Sequence, residues 1–157
     1  MPIEIERKFL VNSTEFKKEC FKKVYIKQGF LSSDKHRVVR IRMMDQTGYI
    51  TVKGKSFDNG TSRFEWEKEI SKIEAEKLLI LCEPIPIEKI RYFVKSNSHI
   101  IEIDEFLGDN KGLYIAEIEL KDKNEVFHTP KWIGKEVTGQ KKYYNVKLGK
   151  KPFNKWK

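Results

Sequence analysis

The sequence has little of several features that would define a functional class directly. Its two cysteines, Cys20 and Cys82, do not form a C-x-x-C pair, so neither a disulfide framework nor a zinc knuckle is indicated. The histidines show no metal-ligand spacing. No apolar run approaches the ~18 residues of a membrane span, and the N-terminus lacks the apolar core of a signal peptide. We therefore expect a cytoplasmic protein.

Charge of one sign is in excess. The 157 residues include 32 basic and 23 acidic side chains, for a formal net charge of +9, and 39% are hydrophobic. This composition is globular, and the length fits one domain, which we place at residues 1–150; we expect the basic tail at 151–157 to be poorly ordered. The net charge favours a polyanionic partner, but it does not choose between nucleic acid, an anionic membrane and a small phosphorylated molecule.

Turn-forming residues divide the chain into short alternating runs. Eight of these runs are predicted strands, near 3–10, 24–31, 37–44, 49–55, 63–70, 89–95, 99–106 and 113–120. Most of the connections are short enough for hairpins. The expected fold is therefore mainly β with a few helices (α+β): a closed eight-stranded antiparallel β-barrel with the helices packed outside.

Two helices interrupt the predicted strands, and both have start signals. Asn12 is followed by Glu15 and Ser71 by Glu74, each pair with the spacing of a capping box, and the second pair opens the apolar run AEKLLILC. A further helix is predicted from about Gln140. The barrel strands, rather than these helices, carry the residues that point to a function.

A single design recurs in seven of the runs: polar or charged residues stand at positions i and i+2 around a residue that is nearly always apolar. In a strand such residues share one face and lie only ~6.5–7 Å apart. The runs are EIE (Glu4, Glu6), RIR (Arg40, Arg42), TVK (Thr51, Lys53), EWEKE (Glu65, Glu67, Glu69), KIR (Lys89, Arg91), EID (Glu102, Asp104) and EIE (Glu117, Glu119).

The commonest meaning of such alternation is a solvent-exposed charged face opposite an apolar core face. This interpretation suits one strand better than the set, because here acidic and basic residues are segregated strand by strand. If the barrel closes with this face inward, it forms a charged tunnel in which crowded carboxylates repel one another. Carboxylates bind hard cations such as Mg²⁺ or Mn²⁺, and fixed Arg and Lys side chains bind phosphate oxygens. Together they indicate a cage for a metal-bridged polyphosphate.

The stretch EIERK at residues 4–8 resembles the E-x-E-x-K signature of the CYTH superfamily, also called triphosphate tunnel metalloenzymes. The later motifs follow in the family's order, and WIGKEVTGQKKYYN resembles its C-terminal segment. The resemblance implies an eight-stranded tunnel barrel that hydrolyses a triphosphate with Mg²⁺ or Mn²⁺. It implies metal ligands at Glu4, Glu6, Glu117 and Glu119, with Asp104 as a close candidate, and phosphate-binding residues at Lys8, Arg40, Arg42, Lys53, Lys89 and Arg91.

Catalytic roles in this scheme are expected for Glu4, Glu6, Lys8, Glu67, Lys89 and Glu119. Glu67 stands between Glu65 and Glu69, and these three could hold a second metal, orient the attacking water or pair with the basic strands. The chain departs from the family pattern at Phe30, where many short bacterial members have Tyr. It departs again at Gln140, where Asp is common.

Two reactions suit a metal-bound triphosphate in a basic cradle. Water attacking the terminal phosphorus makes the protein a triphosphatase, whereas a ribose 3′-hydroxyl attacking the α-phosphorus of ATP makes it an adenylate cyclase. Inorganic tripolyphosphate is favoured, because no set of residues is dedicated to an organic group. Thiamine triphosphate and nucleoside triphosphates stay open as substrates.

A non-catalytic polyphosphate-binding or nucleic-acid-binding module is the alternative from another class. The inward acidic pairs argue against it, because acidic strands repel a phosphate backbone unless metal ions intervene. We therefore expect a small triphosphate and a divalent metal as partners, with no nucleic acid and no membrane. The resemblance also implies that a homodimer can form.

Overall fold

The computed structural model describes residues 3–83 and 86–156. Its strands are β1 (Ile3–Val11), β2 (Lys22–Asp34), β3 (Arg37–Met44), β4 (Thr47–Lys53), β5 (Ser62–Ile70), β6 (Ile87–Ser96), β7 (His99–Phe106), β8 (Tyr114–Glu119) and β9 (Ile133–Glu136). Its α-helices are α1 (Phe16–Glu19), α2 (Lys72–Ile80) and α3 (Asn145–Lys150), and short 3₁₀ turns lie at Gly108–Asn110, Lys141–Tyr143 and Phe153–Lys155.

The first eight strands form a closed antiparallel barrel, as predicted. Their order is β5-β4-β3-β2-β6-β7-β8-β1, and β1 closes the circle by pairing with β5, with Ile3 opposite Phe64 and Ile5 opposite Ser62. Closure pairs the start of β1 with the start of β5, where an open sheet would expose unpaired backbone groups. β9 was not predicted; it pairs with the second half of β1, which β5 leaves uncovered.

Apolar residues on the outer face of the barrel pack under the first two helices. Ser71 and Glu74 form the expected capping box at the start of α2, with both hydrogen bonds 3.0 Å long. The predicted start of α1 at Asn12 is wrong. The helix begins at Phe16, and Asn12 donates instead to the backbone carbonyl of Ile133, because the segment before α1 is tied to the strand β9.

A third apolar cluster lies inside one end of the barrel and is closed by the C-terminal segment. Leu10, Ile87, Phe106 and Ile115 come from the barrel strands, and Leu113 directly precedes β8. They pack against the C-terminal side chains Val137, Tyr143, Leu148, Phe153 and Trp156. The expectation of a poorly ordered tail is therefore wrong for the described residues 151–156. Phe153 and Trp156 of the tail pack in this cluster.

A close approach of two glycines fixes the C-terminal segment beside the β4–β5 connection. Gly60 and Gly139 have φ values of +87° and +79°, and a Cβ on Gly60 would lie 2.4 Å from the Cα of Gly139. Only glycine tolerates both the contact and these backbone angles. Across residues 3–83 and 86–156, no helix is long and apolar enough to cross a membrane.

Candidate active site

The interior of the barrel contains a cavity of about 910 Å³ lined by side chains from all eight barrel strands and the C-terminal segment, most of them charged. Its acidic residues are Glu4, Glu6, Glu65, Glu67, Glu102, Glu117 and Glu119. Its basic residues are Lys8, Lys35, Arg40, Arg42, Lys53, Lys55, Arg63, Lys89, Arg91, Lys141 and Lys147. The cavity therefore contains every predicted site residue except Asp104.

Strand register explains how acidic side chains meet. On β1 and β8, Glu6 lies opposite Glu119 and Lys8 opposite Glu117. On β7 and β8, Glu102 lies opposite Glu117. Because directly opposite residues in an antiparallel pair project to the same side, these carboxylates converge inside the barrel.

The crowding of these carboxylates shifts their pKa values. Burial, together with the charges of Glu117 and Glu4, raises the pKa of Glu6 well above its usual range. Burial also raises the pKa of Glu119. Burial alone would do the same to Glu117, but the Lys8 ammonium and a hydrogen bond with Glu6 lower its pKa to about 2. This part of the wall thus has an excess of negative charge that a cation would relieve.

The carboxylates meet in pairs rather than in a preformed ligand triad. Within the described part of the chain, no group of three His, Cys, Asp or Glu side chains has the geometry of a metal site. This arrangement fits Mg²⁺, which is commonly held by one or two carboxylates together with substrate phosphates and water. The acidic wall around Glu6 and Glu117 therefore suits a metal that arrives with the substrate.

Glu4 and Glu65 share one lysine at the β1–β5 seam. Lys53 Nζ lies 3.0 Å from Glu4 Oε1 and 4.0 Å from Glu65 Oε1. Lys53 lowers the pKa of Glu4 against the effect of burial. Burial and a hydrogen bond from Glu65 to Glu4 raise the pKa of Glu65 to about 7, despite the opposing effect of Lys53. Glu65 therefore keeps its proton to a higher pH than an ordinary glutamate does.

The opposite wall has an excess of positive charge. Arg40 and Arg42 are 9% and 8% exposed. Burial lowers the pKa of both guanidinium groups, Arg42's to about 9, and the charge of Arg91 adds to the effect on each. Arg42 Nε donates to a neutral acceptor, Gln28 Oε1. Arg40 Nε is buried with no hydrogen-bond partner among the described residues. Phosphate oxygens would accept hydrogen bonds from these guanidinium groups.

Asp104 lies behind the cavity wall rather than in it. Its carboxylate accepts from Arg91 Nε and Nη2 at 2.7 and 2.9 Å, and Lys89 Nζ lies 2.8 Å away. These two cations lower the pKa of Asp104 far below its usual range, although its burial acts in the opposite direction. Asp104 therefore holds two basic side chains in place, a role that alternation along the strand could not distinguish from metal binding.

Lys89 is held by Asp104 and by a residue of the C-terminal helix. Its Nζ donates to Asn145 Oδ1 at 2.8 Å. Burial, with the neighbouring charges of Arg91 and Arg42, lowers the pKa of Lys89 to about 7 even though Asp104 acts in the opposite direction. An additional anion in the cavity would therefore stabilise the charged form of Lys89.

The three glutamates of β5 differ in position. Glu65 and Glu67 line the cavity, whereas Glu69 does not and is exposed. Glu67 Oε2 accepts from Thr51 Oγ1 at 2.7 Å and lies 3.6 Å from Arg40. Glu67 is therefore the β5 carboxylate that the cross-strand contacts orient best.

Phe30 lines the cavity as an apolar side chain. It therefore offers no hydroxyl group for proton transfer at this position. Gln140 precedes the 3₁₀ turn at Lys141–Tyr143, to which it provides no side-chain cap, and it lies outside the cavity wall.

Sequence reasoning missed the contribution of the C-terminal segment. Lys141, Tyr144, Asn145 and Lys147 all line the cavity, and Lys8 Nζ lies 4.8 Å from the centre of the Tyr144 ring. The motif YYN was visible as part of the C-terminal segment, but no local pattern indicates that it would enter the barrel. Gln28 was missed too. It is a buried polar residue two positions after Ile26, on the same face of β2.

Comparison with known proteins gives a consistent result. The family model described as the CYTH domain matches residues 2–151. A curated inorganic triphosphatase of Acetivibrio thermocellus is 48% identical over 155 residues, which cover 98% of this chain and 97% of that protein. A second inorganic triphosphatase, from Nitrosomonas europaea, is 34% identical over 149 residues, covering 92% and 95%.

Solved structures share the fold. The crystal structure of the inorganic triphosphatase NE1496 aligns with a TM-score of 0.64 at 30% identity, covering 93% of this chain and 97% of that one. HpAC1 from Hippeastrum, described as a candidate adenylyl cyclase with a dominant triphosphatase activity, aligns with a TM-score of 0.60 at 17% identity, covering 76% and 80%. At that identity the likeness shows the fold alone.

Proposed function

The chain belongs to the CYTH domain family, and from this premise we propose that it is a metal-dependent triphosphatase that hydrolyses inorganic tripolyphosphate to pyrophosphate and phosphate. Its curated relatives at 48% and 34% identity are named inorganic triphosphatases. The observation that carries the proposal is one cavity with crowded carboxylates on one wall and two buried arginines on the other. Arg42 Nε donates to the neutral Gln28, and Arg40 Nε has no hydrogen-bond partner among the described residues.

The basic wall binds the phosphate chain in this proposal. Arg40 and Arg42 supply planar, buried donors, and each has its pKa lowered by burial and by neighbouring cations. An anion would relieve that repulsion, so binding is favoured most where the positive charges are most crowded. The residues assigned to this role are Lys8, Arg40, Arg42, Lys53, Lys89 and Arg91.

The acidic wall holds the metal. We assign Glu4, Glu6, Glu117 and Glu119 as ligands of Mg²⁺ or Mn²⁺, both of which suit carboxylate oxygens. Asp104 is assigned to the support of Lys89 and Arg91, because both of its oxygens already accept from them. When bound, the metal supplies charge neutralisation on phosphate oxygens and a water of lowered pKa.

The residues of the chain then position an in-line attack by water on the terminal phosphorus. Glu67 orients the water, because Thr51 and Arg40 fix the position of its carboxylate. Lys8 and Lys89 stabilise the negative charge that develops on the phosphate oxygens. The phosphate and the pyrophosphate leave with that charge balanced by the same side chains.

The test is phosphate release from the purified protein given tripolyphosphate, ATP or thiamine triphosphate, with Mg²⁺, Mn²⁺ or excess chelator. We expect metal-dependent release that is fastest with tripolyphosphate. Formation of cyclic AMP from ATP would assign the protein to the cyclase branch instead. Tight metal-independent binding with no turnover of any substrate would make it a polyanion-binding module.

A matched pair of variants ties the activity to the cavity. Glu67→Gln removes the carboxylate assigned to the water, whereas Glu69→Gln changes an exposed residue two positions further along the same strand, outside the cavity. We expect a large loss of kcat in the first variant and none in the second. Equal rates in the two variants would remove Glu67 from the mechanism.

We propose three further properties that the site itself does not require. First, residues 1–150 form one domain, and the tail at 151–156 folds onto it. Second, the protein is cytoplasmic. Third, it can form a homodimer. Light scattering of the purified protein gives its mass in solution, and a monomeric mass at all concentrations would contradict the last of these.

A further inference from the structure

Asn145 joins the C-terminal helix to the basic wall of the cavity. Its Oδ1 accepts two hydrogen bonds, from Lys89 Nζ at 2.8 Å and from Gln28 Nε2 at 3.1 Å. Gln28 Oε1 in turn accepts from Arg42 Nε at 3.1 Å. A chain of neutral amides therefore connects two of the cations assigned to the phosphate.

The donors in this chain determine which way both amides face. The Arg42 guanidinium and the Lys89 ammonium can only donate, so each must meet an amide oxygen. Gln28 presents its oxygen to Arg42 and hence its nitrogen to Asn145. Asn145 must then present its oxygen to both Lys89 and Gln28, which leaves the two hydrogens on its Nδ2 for another acceptor.

None of the described residues supplies that acceptor. Among residues 3–83 and 86–156, the Nδ2 of Asn145 makes no hydrogen bond, although the residue lines the cavity. The proposed mechanism gives Asn145 no role. An amide in this position can donate to a phosphate oxygen without adding a charge to a wall where Arg42 and Lys89 already repel each other.

We propose that Asn145 positions the Lys89 ammonium through its Oδ1 and donates to the phosphate chain of the substrate through its Nδ2. The inference rests on the proposed function, which it deepens by adding a neutral donor to the substrate site.

Two substitutions separate the roles of the two amide atoms. Asn145→Leu removes both the acceptor and the donor while keeping a similar shape. Asn145→Asp keeps an acceptor for Lys89 and Gln28, but it replaces the donor with a negative oxygen that faces the phosphate. KM and kcat for tripolyphosphate are measured with Mg²⁺, and equilibrium binding of tripolyphosphate is measured by calorimetry in excess EDTA.

Asn110→Leu is the matched control, because it also loosens the C-terminal segment. Asn110 is 4% exposed, its Oδ1 accepts from the backbone N–H of Phe153 at 2.8 Å, and it lies outside the cavity wall. A loss of affinity that came only from poorer docking of the segment would appear in this variant as well.

The proposal predicts a different signature for each variant. Asn145→Leu should weaken tripolyphosphate binding in EDTA by about tenfold or more and should lower kcat as well, because a hydrogen bond to a charged group and the anchor of Lys89 are both lost. Asn145→Asp should weaken binding further and keep kcat closer to that of the wild type. Asn110→Leu should retain wild-type affinity and kcat.

Other results would overturn the assignment. Wild-type affinity in Asn145→Asp, or an equal loss of affinity in Asn110→Leu, would show that Asn145 does not contact the substrate. Failure of the proposed function looks different: the wild type would then release no phosphate with metal, and the binding comparison in EDTA would still decide the role of Asn145.

Discussion

The two ends of the barrel interior differ in chemistry although the same strands build both. On the inward face of β1, β6, β7 and β8, a charged residue lies two positions along the strand from an apolar one. The charged and apolar members of each step are Lys8 and Leu10, Lys89 and Ile87, Asp104 and Phe106, and Glu117 and Ile115. Beyond this boundary the C-terminal segment fills the apolar end, whereas the charged end holds the cavity.

The difference shows how one barrel separates stability from function. The apolar end resembles an ordinary core, in which buried side chains contribute through burial and close packing. The charged end is costly by itself, because burial and like charges raise the pKa of Glu6 and lower the pKa of Arg42. Its ligands would remove that cost, so substitutions in the two ends should have separable effects.

The largest expected effect is on turnover, from substitutions in the charged end. Glu119→Gln or Glu4→Gln should reduce metal-dependent phosphate release by about 10³-fold or more, because each removes a ligand charge from the acidic wall. The melting temperature of the metal-free protein should not fall by more than a few degrees. An assay of phosphate release measures the rate, and thermal melting measures the stability. A wild-type rate in either variant would remove that residue from the metal site.

The opposite result is expected in the apolar end. Leu148 is fully buried there, so Leu148→Ala should lower the free energy of unfolding by about 2–5 kcal/mol. Ile80→Ala is the control, because Ile80 is 82% exposed and its loss should change that free energy by less than about 0.5 kcal/mol. Urea unfolding measures both, and a similar small change in the two variants would mean that α3 does not close the barrel end.

Binding of the ligands should stabilise the charged end specifically. Mg²⁺ together with tripolyphosphate should raise the melting temperature by about 5 °C or more and by more than either alone, since a ligand that binds only the native state stabilises it by mass action. The Glu67→Gln variant suits this measurement, because slow turnover preserves the substrate during heating. An unchanged melting temperature with both ligands would contradict the cage.

The smallest expected effect concerns a single proton. Burial and a hydrogen bond with Glu4 raise the folded-state pKa of Glu65 to about 7. The folded protein therefore loses stability as the pH rises from the ordinary pKa of a glutamate toward 7, because Glu65 ionises more easily in the unfolded chain. In EDTA, Glu65→Gln should therefore melt about 2–4 °C above the wild type at pH 8 and at the same temperature near pH 4.5. A difference that does not vary with pH would contradict the shifted pKa.

Much of this arrangement could be predicted from local patterns. Alternation around Ile5, Ile41 and Ile118 placed the charged residues of each strand on one face, and the capping box at Ser71 placed α2. Asp104 shows the limit of this reasoning. It lies two positions after Glu102, on the same face of β7, as a cavity residue would. The structure nevertheless pairs it with Lys89 and Arg91, because pairing depends on which side chains the neighbouring strand brings close.

The C-terminal segment could not be placed from the sequence for a related reason. Asn145 meets Lys89 across 56 positions and Gln28 across 117, and no periodicity reports contacts of that range. The same holds for the tail, where Trp156 packs against Tyr143 with ring centres 5.4 Å apart. A basic composition predicts disorder only when the apolar residues within it find no core.

The sequence by itself determined the barrel and the identity of its charged face, because strand periodicity is a property of the backbone that every alternating run obeys. Only the tertiary structure decided which charged groups face the cavity unpaired, which ones neutralise each other behind its wall, and that Asn145 joins them. Those outcomes depend on closure of β1 onto β5 and on the docking of the C-terminal segment, which bring together side chains that are distant in the sequence.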